Sequence, residues 1–359
     1  VKASTTTSRG GRSLAYREWT APEVNGGDGY GAGIDSDDVR GVDIDDESLR
    51  RWTSPMVEPG FAVAELVPSW SARTPGSTRI IVEARGVTAA GALTRWYDLG
   101  HWSEQERTSI TGQGDQDGRV DTDTLIAAAD GWTAAQLRIT LVRPPGSAET
   151  PLLLRAGLLL SGITVGVPEG EPPGPGCGVV LDVPAYAQFR HADHGGRGWC
   201  SPASIAMVLD FWGVGPGPEE LGEWPADHPD PQVDHAATRV HDPAYGYGNW
   251  SFNVAHAARR GLVAFVTRLR SLAEAEQFIA VGMPLILSSN GHVVVLAGFT
   301  GDGDPVLNDP AANTNAGVRR VVGRSDFERA WLSTSRGICY VLHPPAAERP
   351  NRSDAESSW

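Results

Sequence analysis

GWCSPASIAMVLDFWG, residues 198–213, decides how the second half of this chain is read. Ile205, Val208, Leu209 and Trp212 fall at i, i+3, i+4 and i+7, one apolar face of a helix. Pro202 stands in its first turn and Gly213 at its end, where each residue type suits the helix geometry. Cys200 lies at the start of that helix. Free N–H groups and the positive end of the helix dipole favour a thiolate there. A cysteine so placed, approached through the glycine-rich HGGRGW (194–199), is a candidate nucleophile rather than a small core residue.

Downstream the same texture continues. SFNVAHAARRG (251–261) and SLAEAEQFIAVG (271–282) read as helices, the second with a Ser271–Glu274 capping box. SDFERAWL (325–332) is expected to be a third helix, capped through Ser325 and Glu328. PLILSS, HVVVLAGF, PVLND and ICYVL read as strands, and VVLDVPAYAQ (179–188) as a strand ahead of the Cys200 helix. Helices followed by a mostly antiparallel sheet predict an α+β domain over 179–345. Upstream, nine of the thirteen residues in 166–178 are Pro or Gly, the composition of a stiff linker and a domain boundary. Before it, AVAELVPSW, STRIIVEARG, TRWYDLGHW, QLRITLVRP and PLLLRAGLLL are short β-type runs separated by turn residues. They predict an all-β sandwich over 14–165, a possible binding module. Residues 1–12, the acidic stretch 28–47 and a polar tail, 346–359, are expected to lie outside the cores.

Composition sets the outer limits. The 359 residues carry 30 basic and 44 acidic side chains, a net charge of −14, and Lys2 is the single lysine. Such a chain is a poor general ligand for nucleic acid or anionic membranes, and it has no apolar run long enough to span a bilayer. The opening VKASTTTSRGGR reads as the start of a mature secreted protein. In that setting three cysteines suggest one disulfide, Cys177 to Cys339, with Cys200 as the remaining thiol.

A nucleophilic cysteine needs a base. His292 follows Asn290-Gly291 at the mouth of an apolar strand, and the segment 292–309 reads as a hairpin turning near 301–303. Antiparallel pairing brings His292 and Asp309 to the same sheet end, where Asp309 could hold the imidazole Nδ1–H. Asn308, its neighbour, points to the opposite face by strand alternation. Gln188 is the candidate amide donor for an oxyanion, together with the Cys200 backbone N–H.

VPAYAQ, GWCSPASIAMVLDFWG, GHVVVLAGF and VLNDPA, in that order, resemble the papain-like cysteine peptidases of family thirty-nine, the bacteriocin-processing type. The resemblance covers about 180–345. It implies Cys200 as nucleophile, His292 as base, Asp309 as orienter and Gln188 for the oxyanion, acting on a peptide or protein substrate with no cofactor or metal. The chain departs from that type in the eleven residues between Gln188 and Cys200, and in lacking ATPase and membrane segments.

Two other sites compete. His191-x-x-His194 with Cys200 has possible metal spacing, but the neighbouring sequence offers no further ligand. Asp115, Asp117, Asp121 and Asp123 begin like a calcium loop, yet Ile126 stands where the bidentate Glu is required. Trp70, Trp96 and Trp102 could stack on sugar or fill the β core. A cysteine peptidase is therefore expected, against the alternative of a glycan- or cell-wall-binding protein with an inactive papain-like domain.

Overall fold

The computed structural model describes residues 13–25, 48–162 and 172–350. The terminal stretch 1–12, the acidic run 28–47, residues 166–171 of the expected linker and 351–359 of the tail lie outside the described residues. Among the described residues the first half has ten strands: β1 (Leu14–Thr20), β2 (Ser48–Thr53), β3 (Val63–Arg73), β4 (Arg79–Thr88), β5 (Tyr97–Trp102), β6 (Arg107–Thr108), β7 (Gly118–Asp121), β8 (Thr124–Ala127), β9 (Trp132–Arg143) and β10 (Leu152–Gly162). A short helix, α1 (Ala21–Asn25), follows β1.

These strands form one large antiparallel sheet rather than two unconnected ones. β1, β10, β3, β8 and β7 pair in one run and β2, β9, β4, β5 and β6 in another, and the two are joined where Val63 of β3 meets Trp132 of β9. Alternation along β4 is regular: Ile80, Val82 and Ala84 are buried while Arg79, Ile81 and Glu83 are partly exposed. Trp70 and Trp102 pack edge to face in this core, 6.4 Å between ring centroids. Trp96 is flanked by the Arg85 and Arg138 guanidinium groups, 4.4 and 4.1 Å from its ring. Trp70 and Trp102 are thus core residues, and half-buried Trp96 has two cation–π partners.

The second half contains α2 (Cys200–Phe211), α3 (Pro218–Leu221), α4 (Pro231–Val240), α5 (Trp250–Arg259), α6 (Leu272–Ala280) and α7 (Arg324–Thr334). Its sheet is built from β11 (Val263–Arg268), β12 (Leu285–Ser289), β13 (His292–Phe299), β14 (Pro305–Asn308), β15 (Arg319–Val321) and β16 (Ile338–His343), in the order β11-β16-β12-β13-β14-β15. Every pairing is antiparallel. The helix expected at 325 begins one residue earlier, at Arg324, with Gly323 as its cap. Glu328 instead accepts from the backbone N–H of Leu272, 2.6 Å away, and ties α7 to the start of α6. At α6 the expected cap is present, Ser271 Oγ accepting from Glu274 N at 3.2 Å.

The segment expected as a strand at 179–188 is extended but joins the sheet only through a bridge between Val180 and Gly298. Pro184 removes a ladder donor there. Residues 172–178 are no free spacer. Gly178 N donates to Thr300 O at 3.0 Å, and Gly176 lies so close to Glu276 that a Cβ would meet its backbone at 2.8 Å.

The two halves share a substantial interface. Tyr16 stacks on Phe265 at 4.7 Å, and Phe252 of α5 enters the β core beside Trp70. Arg268 pairs with Glu65 at 2.8 Å in a buried ion pair. No disulfide joins Cys177, Cys200 or Cys339. Cys339 sits inside β16, opposite Thr267 and Leu287, whereas Cys177 lies beside the Gly303 turn. The bridge suggested by the odd cysteine count is therefore not formed. Titrating the denatured, unreduced protein should give three reactive thiols per chain; a value of one would restore the bridge.

Candidate active site

Cys200 is the first residue of α2, and Trp199 before it contributes no capping side-chain bond. The first-turn amides are thus left without a side-chain cap, the condition for an anion site at a helix N-terminus. The helix is anchored to the sheet under it: Ser204 Oγ donates to Val293 O of β13 at 3.4 Å, and Ser201 Oγ meets the Tyr340 hydroxyl of β16 at 3.4 Å. Residues 201–209 are all buried, so α2 is a central helix with only its first and last turns reaching the surface.

His292 opens β13. Val295 pairs with Asn308, which sets Asp309 beside Val294 and on the same side of the pleat as His292. The carboxylate Oδ1 of Asp309 accepts from His292 Nε2 at 2.6 Å. Cys200 acts on the same ring, its side chain being among the groups that raise the pKa of the imidazole. Because Nε2 is committed to Asp309, Nδ1 is the nitrogen available to the thiol. The expected geometry had Nδ1 toward the carboxylate; the ring is used the other way round. Side-chain torsion decides which ring nitrogen meets the carboxylate, and residue spacing does not carry that information.

Burial would lower the His292 pKa, but hydrogen bonds to Asp309 and Cys200, and the negative charge of both, raise it from 6.5 to about 9. Asp309 is held below its ordinary range. Burial works against this, and the His292 bond, the Ala311 N–H at 2.9 Å and the Arg320 guanidinium outweigh it. Arg320, on β15, is a member of the site that the sequence reading did not find; nothing in RRV marks it before the β14–β15 pairing is known. Asn308 faces the other way, fully buried. Its Nδ2 donates to Val183 O at 3.1 Å and Pro184 O at 2.9 Å, so its role is to anchor the extended 179–187 segment.

Gln188 does not end a strand. It begins a 3-10 turn, 188–194, which folds back through Gly195 and Gly196 to deliver Trp199 and Cys200. Gly195 has φ = 107°, and a Cβ on Gly196 would lie 2.5 Å from the carbonyl oxygens of Gln188 and His191. The two glycines are what let an eleven-residue excursion close tightly. Gln188 Nε2 donates to Arg197 O at 2.8 Å, and its buried Oε1 has no partner. An amide NH₂ carries two donors, so one can remain after the Arg197 bond. The four sequence-selected residues thus fall on two parts of the domain: His292 bonded to Asp309 with Cys200 acting on the same ring, and Gln188 at the turn leading into Cys200.

The rival sites resolve differently. Asp115 accepts from Tyr97 Oη at 2.5 Å and Arg95 Nε at 2.6 Å, Asp121 faces Arg119, and Asp123 accepts from Trp250 N. Asp117 accepts from Gln116 Nε2 at 3.4 Å, so the four carboxylates face separate partners. His191 and His194 do acquire further ligands, His228 and Asp234, but Cys200 is not among them. Both are distant from the His191–His194 pair along the sequence and are brought to it by the fold.

Residues 12–161 match the family model described as Peptidase C39 N-terminal domain, and residues 180–339 match that of the Peptidase C39-like family. A search of curated proteins finds no significant match. Among the described residues, no helix is long and apolar enough to cross a membrane. With both halves matched in order, the chain belongs to the C39-like cysteine peptidase family.

Proposed function

We propose that this chain is a cysteine peptidase whose second half is a papain-like domain working through Cys200, His292 and Asp309, with the first half a two-layered β-sandwich packed against it. The observation that carries the reading is His292 held between Asp309 and Cys200, with a pKa raised to about 9. A histidine so placed is an imidazolium at neutral pH and stabilises a neighbouring thiolate. Cys200 Sγ attacks the scissile carbonyl carbon. The oxyanion that forms accepts from the Cys200 N–H and the Gln188 amide. The C–N bond then breaks, the amine leaves with the proton from His292, and a thioester remains on Cys200. Neutral His292 next takes a proton from water, whose oxygen attacks the thioester carbon, and the acid departs as the thiolate re-forms. Asp309 keeps its negative charge throughout and orients the ring.

Screening peptide libraries and purified cell-wall sacculi, with intact-mass detection of a covalent acyl-enzyme, tests the reading. A thioester adduct on the Cys200 peptide is the expected result. Turnover with no dependence on Cys200 would reject it.

Two outcomes belong to this mechanism. Gln188→Ala should lower kcat by about 10²-fold with KM little changed, since an oxyanion donor acts on the transition state; steady-state kinetics measures this. The alkaline limb of the pH–kcat/KM profile should lie at about pH 9, the value to which His292 is raised. The same shift has a stability consequence. Folded His292 binds its proton more tightly than an ordinary imidazole, near 6.5, so its contribution is complete below about 6.5 and is lost as pH rises through about 9.

A further inference from the structure

His191, His194, His228 and Asp234 form a second cluster, outside the triad. Each offers one ligand atom, and these atoms all lie within 4.8 Å of one another. His191 Nδ1 is 2.9 Å and His228 Nε2 2.8 Å from Asp234 Oδ2, and His194 Nδ1 is 3.3 Å from Oδ1. His191 is fully buried, 0% exposed, yet neither of its ring nitrogens makes an aligned hydrogen bond. An interior imidazole without aligned partners is costly, and each such group calls for a reason. Three imidazoles crowd one carboxylate here, with the His191, His194 and His228 rings 5.5–6.0 Å apart.

We propose that these four residues bind a structural Zn²⁺ ion. Three imidazole nitrogens and one carboxylate oxygen are a closed four-ligand set of the kind zinc accepts in tetrahedral geometry. Zinc–ligand bonds of about 2.0–2.2 Å place ligand atoms roughly 3.3–3.6 Å apart, so closure needs side-chain movements of about an ångström. The ligand set leaves no open position for water, which makes the role structural. The ion would clamp the 3-10 turn that carries Gln188 and His191 onto the first turn of α4, where Asp234 sits. Trp199, next to Cys200, packs on both His191 and His194 at 5.8 Å. The clamp would therefore stiffen the approach to the nucleophile without supplying a ligand to the reaction.

The test uses the full chain carrying Cys200→Ala, so that zinc captured by the triad thiol does not count and the result is independent of peptidase activity. After removal of metal by a chelator, Zn²⁺ alone is titrated by calorimetry, and Co²⁺ is added separately to read its visible spectrum. One Zn²⁺ per chain, an intense tetrahedral Co²⁺ spectrum and a melting temperature that rises with zinc are expected. His194→Gln, at a half-exposed position, and His228→Gln should each weaken binding by about 100-fold or more while the far-UV circular dichroism is unchanged. Absence of stoichiometric binding, or affinity unaltered in both variants, would overturn the proposal and leave the cluster a histidine–aspartate hydrogen-bond network.

Discussion

Cys200→Ala will abolish peptide hydrolysis, with a loss of roughly 10⁴-fold or more in kcat and no loss of fold. The magnitude follows from removing the nucleophile itself: no thioester can form, and the residue left behind is binding and oxyanion stabilisation. The fold should survive because Cys200 is half-buried at the first position of α2, whereas the packing of that helix rests on residues 201–209. Alanine is also a strong helix former. Circular dichroism alongside single-turnover kinetics separates the two effects. Residual activity within tenfold of the unaltered enzyme would mean that the chemistry does not pass through this sulfur.

Asp309→Asn should cost on the order of 10²–10⁴-fold in kcat, the range of a positioned acid–base group. Its amide can still bond to His292, so the ring need not be lost from its place. What disappears is the negative charge that helps hold the imidazolium, and Arg320 is left facing a neutral group. Because Asp309 is among the causes that raise His292, the alkaline limb should also move down from about pH 9. A merely structural Asp309 would lower the amount of folded enzyme and leave that limb in place. Unchanged kinetics and an unchanged profile would remove Asp309 from the mechanism.

Much of this site was legible in residue order. The Cys200 helix followed from one apolar stripe with Pro and Gly at its ends. The His292–Asp309 contact followed from a hairpin in which one residue begins the first strand and the other follows the second. Alternation alone separated Asp309 from Asn308, and the buried bonds of Asn308 to Val183 and Pro184 agree with that separation.

What was not legible depended on contacts distant in sequence. The helix α4 was missed because its stripe, Val233, Ala236, Ala237 and Val240, is carried by small residues set among Asp, His, Thr and Arg, and its burial comes from packing against α2. With it went Asp234, one member of the histidine cluster, and His228 in the loop before it, although His191-x-x-His194 was visible. The strand expected at 179–188 has the right residues but only one bridging partner, so β-type composition outran the available pairing. Residues 172–178 have linker composition, yet their polar backbone finds partners on the Thr300 turn and Glu276. Composition sets stiffness, and surface complementarity decides whether such a segment docks. The join between Val63 and Trp132, which links the two runs of strands, likewise rests on a long-range pairing that no local pattern announces.

The central claim is that His292 activates Cys200, and iodoacetamide labelling of the native protein, followed by intact mass and peptide mapping, tests it most directly. The account predicts stoichiometric modification of Cys200 at near-neutral pH, abolished in His292→Ala, while buried Cys339 stays unmodified. Slow labelling of Cys200 at the rate of an ordinary thiol, unaffected by His292→Ala, would contradict it.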